Sequence, residues 1–97
     1  MVEGKYNLKL ASPIGDITGA LNLYKGRSGL EGVLETMGAK NIFYGGIEED
    51  NKFTFKGEFK TPIGQITYEA LGIVNENNLE IYAGTNKGRF KITGTKI

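Results

Sequence analysis

From Lys5 onward apolar and polar residues alternate, so that Tyr6, Leu8 and Leu10 share one parity and Lys5, Asn7 and Lys9 the other. A period of two fits a strand with one buried face, because successive side chains leave opposite sides of the backbone. Eight such stretches follow one another, at about residues 5–11, 16–25, 30–37, 41–47, 52–60, 65–74, 79–85 and 89–96. The links are short and rich in turn formers, among them Ser12-Pro13-Ile14-Gly15, Gly26-Arg27-Ser28-Gly29, Glu48-Glu49-Asp50-Asn51, Asn75-Glu76-Asn77-Asn78 and Asn86-Lys87-Gly88. Links of this length join antiparallel neighbours, which predicts an all-β meander.

Ser12-Pro13-Ile14-Gly15-Asp16-Ile17-Thr18 returns as Thr61-Pro62-Ile63-Gly64-Gln65-Ile66-Thr67, an offset of 62 − 13 = 49 residues in a chain of 97. The same offset relates Leu30-Glu31 to Leu79-Glu80 and Tyr6 to Phe55, while an offset of 48 relates Ile42, Tyr44 and Gly46 to Phe90, Ile92 and Gly94. The chain therefore reads as one domain, residues 1–97, made of two four-strand copies at about 1–49 and 50–97. One stretch has a second reading. Leu30, Val33, Leu34 and Met37 fall at helical spacing, with Ser28 as N-cap and Gly38 after the last turn. Against a short helix stand the strand-forming partner segment Leu79-Glu80-Ile81-Tyr82-Ala83 and Gly32, which costs a helix interior about 1 kcal/mol.

Eight antiparallel strands with one apolar face leave two open edges unless the sheet closes, and a small closed eight-stranded barrel is predicted. Its inward face would carry Tyr6, Leu8 and Leu10; Ile17, Leu21 and Leu23; Leu30 and Leu34; Ile42 and Tyr44; Phe53, Phe55 and Phe59; Ile66 and Tyr68; Leu79 and Ile81; Phe90 and Ile92. Gly19, Gly32, Gly57 and Gly94 are assigned to the same face. Two readings stand for them: glycines let strands coil tightly enough to close a narrow barrel, or they clear space for a ligand.

The two Ser/Thr-Pro-Ile-Gly turns, strand segments of the form Leu-x-Gly or Leu-x-Ile, and the closing Gly88-Arg89-Phe90-Lys91-Ile92-Thr93-Gly94-Thr95 resemble a family of small bacterial calycin-like (lipocalin-like) barrels. The resemblance covers the whole chain and rests on turns and strand glycines, so it implies a fold and carries over no catalytic residue. Through lipocalins and fatty-acid-binding proteins it implies a cavity for an apolar ligand. The chain departs from lipocalins in lacking their early Gly-x-Trp and any tryptophan at all.

Charge names no partner. With 12 basic and 11 acidic residues the net charge is +1, too weak a field for non-specific binding of nucleic acid or an anionic membrane. No cysteine and no histidine are present, which argues against a disulfide framework and a structural zinc, and no cofactor is implied. Acid-base chemistry near neutral pH would fall to tuned carboxylates, Lys or Tyr, so a non-enzymatic role is expected. The opening Met1-Val2-Glu3-Gly4-Lys5 resembles no signal peptide, and a cytoplasmic location is the expectation.

Candidate residues follow from the two faces. Inside, Tyr6, Tyr44, Tyr68, Phe55 and Phe90 would line a ligand cavity, with the tyrosine hydroxyls as polar anchors, or simply pack the core. Outside, Val33, Met37, Phe43, Leu71, Ile73 and Tyr82, joined by Ile47, offer an apolar patch for a homodimer. Lys5, Lys9, Lys56, Lys60 and Lys91 read as a solvated face, Glu48-Glu49-Asp50-Asn51 as a polar turn rather than a calcium loop, and Glu31, Glu35, Glu69 and Glu80 as outward carboxylates. Two functions emerge: a non-catalytic barrel binding a small apolar molecule, and a structural or interaction module that docks through its outer face around a filled core.

Overall fold

The computed structural model describes residues 2–12, 15–27, 29–36, 38–61, 64–86 and 88–97. It contains eight strands, β1 (Gly4–Ser12), β2 (Gly15–Gly26), β3 (Gly29–Thr36), β4 (Ala39–Glu49), β5 (Lys52–Thr61), β6 (Gly64–Asn75), β7 (Asn78–Thr85) and β8 (Gly88–Lys96). All neighbours are antiparallel in the order β1 to β8, and β8 pairs back onto β1 to close the barrel. The segment with two readings is a strand. β3 is laddered on both sides, from Gly19↔Thr36 to Gly26↔Gly29 with β2 and from Leu30↔Gly45 to Thr36↔Ala39 with β4.

Register fixes which side chains face in. Starting from buried Tyr6 and Leu8, the pairs Tyr6↔Leu21, Leu21↔Leu34, Gly32↔Phe43 and Leu30↔Gly45 carry the inward parity across β1 to β4. Phe43 therefore faces in, and Ile42 and Tyr44 face out, the reverse of the expectation from sequence. The cause is the repeat alignment. Leu30↔Gly45 in one copy matches Leu79↔Gly94 in the other, so the offset stays at 49 through the last strand of each copy. A slip to 48 flips every side chain of a strand, and the uninterrupted run Ile42-Phe43-Tyr44 offers no alternation to resist that slip.

The solvent-free core, Val2, Tyr6, Leu23, Leu30, Phe53 and Leu79, lies at one end of the barrel, where both termini and the β2–β3, β4–β5 and β6–β7 turns gather. We call this the floor. The opposite end, the mouth, carries the β1–β2, β3–β4, β5–β6 and β7–β8 connections. At the floor the Tyr6 hydroxyl donates to the Val2 carbonyl at 2.7 Å, which folds the N-terminal segment under the barrel.

The inward glycines are covered by this chain's own side chains. A Cβ at Gly57 would lie 2.8 Å from the Tyr68 hydroxyl, one at Gly94 2.8 Å from Leu8 Cδ2, and one at Gly32 3.0 Å from Phe55 Cζ. At Gly19 the obstacle is backbone, the Glu35 carbonyl at 2.8 Å. The glycines are thus seats for neighbouring groups, a tight-packing role distinct from clearing room for a ligand.

Two seams interrupt the closure. Among the described residues the β1–β8 register runs from Tyr6↔Lys96 to Lys9↔Thr93, and the β4–β5 register from Gly45↔Phe55 to Glu49↔Lys52, with a bulge between Ile47 and Glu49. Both seams are zipped toward the floor and open toward the mouth.

Candidate functional site

Inside the barrel a column of rings rises from floor to mouth. Phe53 packs edge-on to Phe55 at 5.4 Å between centroids, Phe43 lies 6.3 Å from Phe55, and Phe43 meets Tyr68 edge-to-face at 5.3 Å. Edge-to-face rings at these separations are favourable beyond their buried area, so the column is a rigid plug. Above it the inward residues lose their cover. Leu10, Ile17, Ile66, Tyr68 and Ile92 are only half-buried, and Phe90, on inward parity beside the open β1–β8 seam, is 44% exposed. Thr36, Asn41 and Thr85 add polar groups at this level. The mouth end is therefore less well covered than the floor, with half-buried apolar side chains above the ring column.

Its construction follows from the repeat. Ile17 on β2 and Ile66 on β6 are separated by the repeat offset, and each stands on a hairpin that rises past its neighbour on the other side, since β2 pairs with β3 only from Gly19 and β6 with β7 only from Tyr68. In the second copy Asn86 bridges that step, its side-chain oxygen accepting from the Thr67 N–H at 3.3 Å and its amide donating to the Gln65 carbonyl at 3.0 Å.

The five cavity candidates separate. Tyr68 and Phe90 stand at the mouth and Phe55 lies below in the ring column. Tyr6 is buried at the floor with its hydroxyl committed to Val2, and Tyr44 is on the outer wall, 61% exposed. Burial raises the Tyr68 hydroxyl pKa above the ordinary tyrosine value; for Tyr6, burial first and the Glu3 charge second do the same. Both hydroxyls are neutral donors at physiological pH. Ile17, Ile66 and Phe43 also lie on the inward face toward this end; the sequence pattern places the first two only in the core and Phe43 on the outside.

The interface candidates separate as well. Val33 is outward on β3, while Leu71, Ile73 and Tyr82 are outward on β6 and β7, on the far side of the barrel. Phe43 points in, and Met37 lies outside the described residues, as do Ser28 and the Pro-Ile pairs at 13–14 and 62–63. Three open grooves of about 810, 680 and 750 Å³ run over the wall. The first is lined by Phe55, Leu71, Tyr82, Arg89, Phe90 and Lys91, with the Lys91 ammonium 5.6 Å from the Tyr82 ring centroid.

The outward carboxylates each have a partner of their own. Glu31 accepts from the Tyr24 hydroxyl and Glu80 from the Tyr82 hydroxyl at 2.6 Å, while Glu35 pairs with Lys40 at 3.6 Å and Glu69 with Lys56 at 3.4 Å. In the polar turn Glu49 meets Lys52 at 3.9 Å, and Asn51 accepts from the Val74 N–H. Among the described residues no group of three His, Cys, Asp or Glu side chains comes together to hold a metal ion.

No protein-family model matches the chain, and no curated protein matches it in sequence. Among solved structures it is similar to a redesigned β-barrel, mFAP1, bound to DFHBI, with a TM-score of 0.67 over 99% of this chain and 94% of that one. The two are 13% identical, so the likeness is one of fold.

Proposed function

We propose that the protein is a non-catalytic, calycin-like binding barrel that takes a small, flat, apolar molecule into its mouth. The observation that carries this reading is Phe90, a large aromatic on an inward position that is 44% exposed. Ile17, Ile66 and Ile92 share its inward face and are half-buried, and apolar concavities with a few polar groups are where small molecules bind. A flat ligand would lie on the ring column between Ile17 and Ile66, with the Tyr68 hydroxyl and the Asn41 amide as hydrogen-bonding groups. The filled floor limits it to a shallow position. The DFHBI complex of mFAP1 supports the reading as a precedent for a small molecule bound by a barrel of this fold.

Native mass spectrometry of freshly purified protein, followed by titration with DFHBI and 1-anilinonaphthalene-8-sulfonate, tests it. Because the chain lacks tryptophan, Phe90→Trp places a lone reporter in the mouth, and its emission should shift to the blue on binding. Tyr68→Phe should weaken binding about tenfold if the hydroxyl contributes one ordinary hydrogen bond, and Ile66→Glu should abolish it. A mass equal to the bare chain together with no saturable binding of either probe would overturn the proposal.

A further inference from the structure

The β4–β5 seam leaves one well-formed strand with a bare edge. Beyond Gly45↔Phe55, residues 39–44 of β4 and 56–61 of β5 continue as strand, yet among the described residues no pairing joins them. On its other side β4 is fully laddered to β3 as far as Thr36↔Ala39, so its backbone is held extended with half of its N–H and C=O groups directed at the open seam. Such an edge is a template for another strand, and proteins usually guard it with charge.

The open edges of β5 and β8 follow that rule. The outward side chains there are Lys56 and Glu58 on β5 and Arg89 and Lys91 on β8. β4 departs from it. After Lys40 its outward residues are Ile42, 53% exposed, and Tyr44, 61% exposed. Val33, paired with Ile42 from β3, extends the apolar surface inward from the edge.

We propose that this edge binds a second copy of the chain, β4 pairing antiparallel with β4 about a two-fold axis at Ile42. The occupant follows from the sequence of the edge, which is complementary to itself. In that register Ile42 stands opposite Ile42 of the second copy, and Lys40 opposite Tyr44, twice. The outer face would then carry a continuous apolar strip of Val33, Ile42 and their two counterparts, flanked by two cation–π pairs. The opposite wall of the barrel already uses that pairing, with Lys91 set over Tyr82. No charged side chain would meet its own kind across the axis.

Light scattering on the size-excluded full chain at about 100 µM should give twice the 10.6 kDa of one chain. Ile42→Lys and Tyr44→Lys should each weaken association at least tenfold while leaving the circular dichroism spectrum and melting temperature near wild type, since both side chains are exposed. Because the chain has no cysteine, Ile42→Cys should form a covalent dimer under mild oxidation and Leu71→Cys, on the far wall, should not. A wild-type monomer at this concentration, or a dimer that survives both lysine variants, overturns the inference. It does not depend on the ligand reading, since the mouth titrations can be run on the lysine variants.

Discussion

At the scale of single residues, space decides what a glycine is worth. A Cβ at Gly72 would clash with the tip of the Phe53 ring, whereas at Gly84 the nearest atom is the Glu69 carbonyl oxygen, 3.9 Å away. Gly72→Ala should therefore destabilise by about 1–3 kcal/mol through overpacking, and Gly84→Ala should stabilise by about 0.5–1 kcal/mol by restricting the unfolded chain. Urea denaturation of the two variants checks both signs. Tyr6→Phe removes the donor to the Val2 carbonyl at a solvent-free position and should cost about 1–2 kcal/mol. The tyrosines also set an alkaline limit. Burial raises the pKa of Tyr6 and Tyr68, and hydrogen bonds to Glu80 and Glu31 do so first for Tyr82 and Tyr24. A raised folded pKa means that the unfolded chain gives up its proton first. The stabilisation is thus complete below the ordinary tyrosine pKa near 10 and is lost as pH climbs through the raised values. Melting temperatures should hold up to about pH 10 and then fall, less steeply in Tyr6→Phe.

Among the elements, the β6–β7 hairpin has one conformational misfit. Asn75 pairs with Asn78, and of the two loop residues Glu76 adopts φ 58°, a left-handed conformation that costs an ordinary L-residue roughly 1–2 kcal/mol. Glu76→Asn should recover about 1 kcal/mol, read as a rise of roughly 4–8 °C in melting temperature for a domain of this size. The turn residues Asn75-Glu76-Asn77-Asn78 announce this hairpin, but nothing in them says which residue takes the strained position. The same division runs through the strands. Where apolar and polar residues alternate cleanly, as in Tyr6-Asn7-Leu8-Lys9-Leu10, both the strand and its buried face were legible. β3 was legible as a strand through its partner copy and its own Gly32, because its apolar spacing also suits a helix. At β4 the run Ile42-Phe43-Tyr44 hides the face, which the ladder to β3 alone determines. That one parity moved Tyr44 out of the candidate cavity and Phe43 into the ring column. The thinner cover at the mouth was illegible for a related reason: depth along the barrel axis is set by how far each seam zips, a property of two strands that neither sequence displays.

For the whole molecule, the two copies explain why the barrel is tight at one end and open at the other. Within each copy consecutive strands are joined by short turns that hold long registers, such as Lys52↔Ile73 to Thr61↔Gly64 between β5 and β6. Between copies, among the described residues, the ladders stitch the floor, and the solvent-free core sits behind those stitches. The unpaired mouth should therefore be the region of lowest local stability. Amide exchange in the monomeric Tyr44→Lys variant tests this residue by residue. In β4, amides at alternate positions over residues 39–44 should be protected by β3 while those between exchange quickly, and β5 should alternate likewise over residues 56–61, where β6 protects one set. Concentrating the wild-type chain then separates two ways of covering the seam. Association through β4 should protect the fast set of β4 and leave that of β5 exchanging. Zipping of β4 onto β5 would protect both sets together and independently of concentration, and it would remove the edge on which the dimer rests.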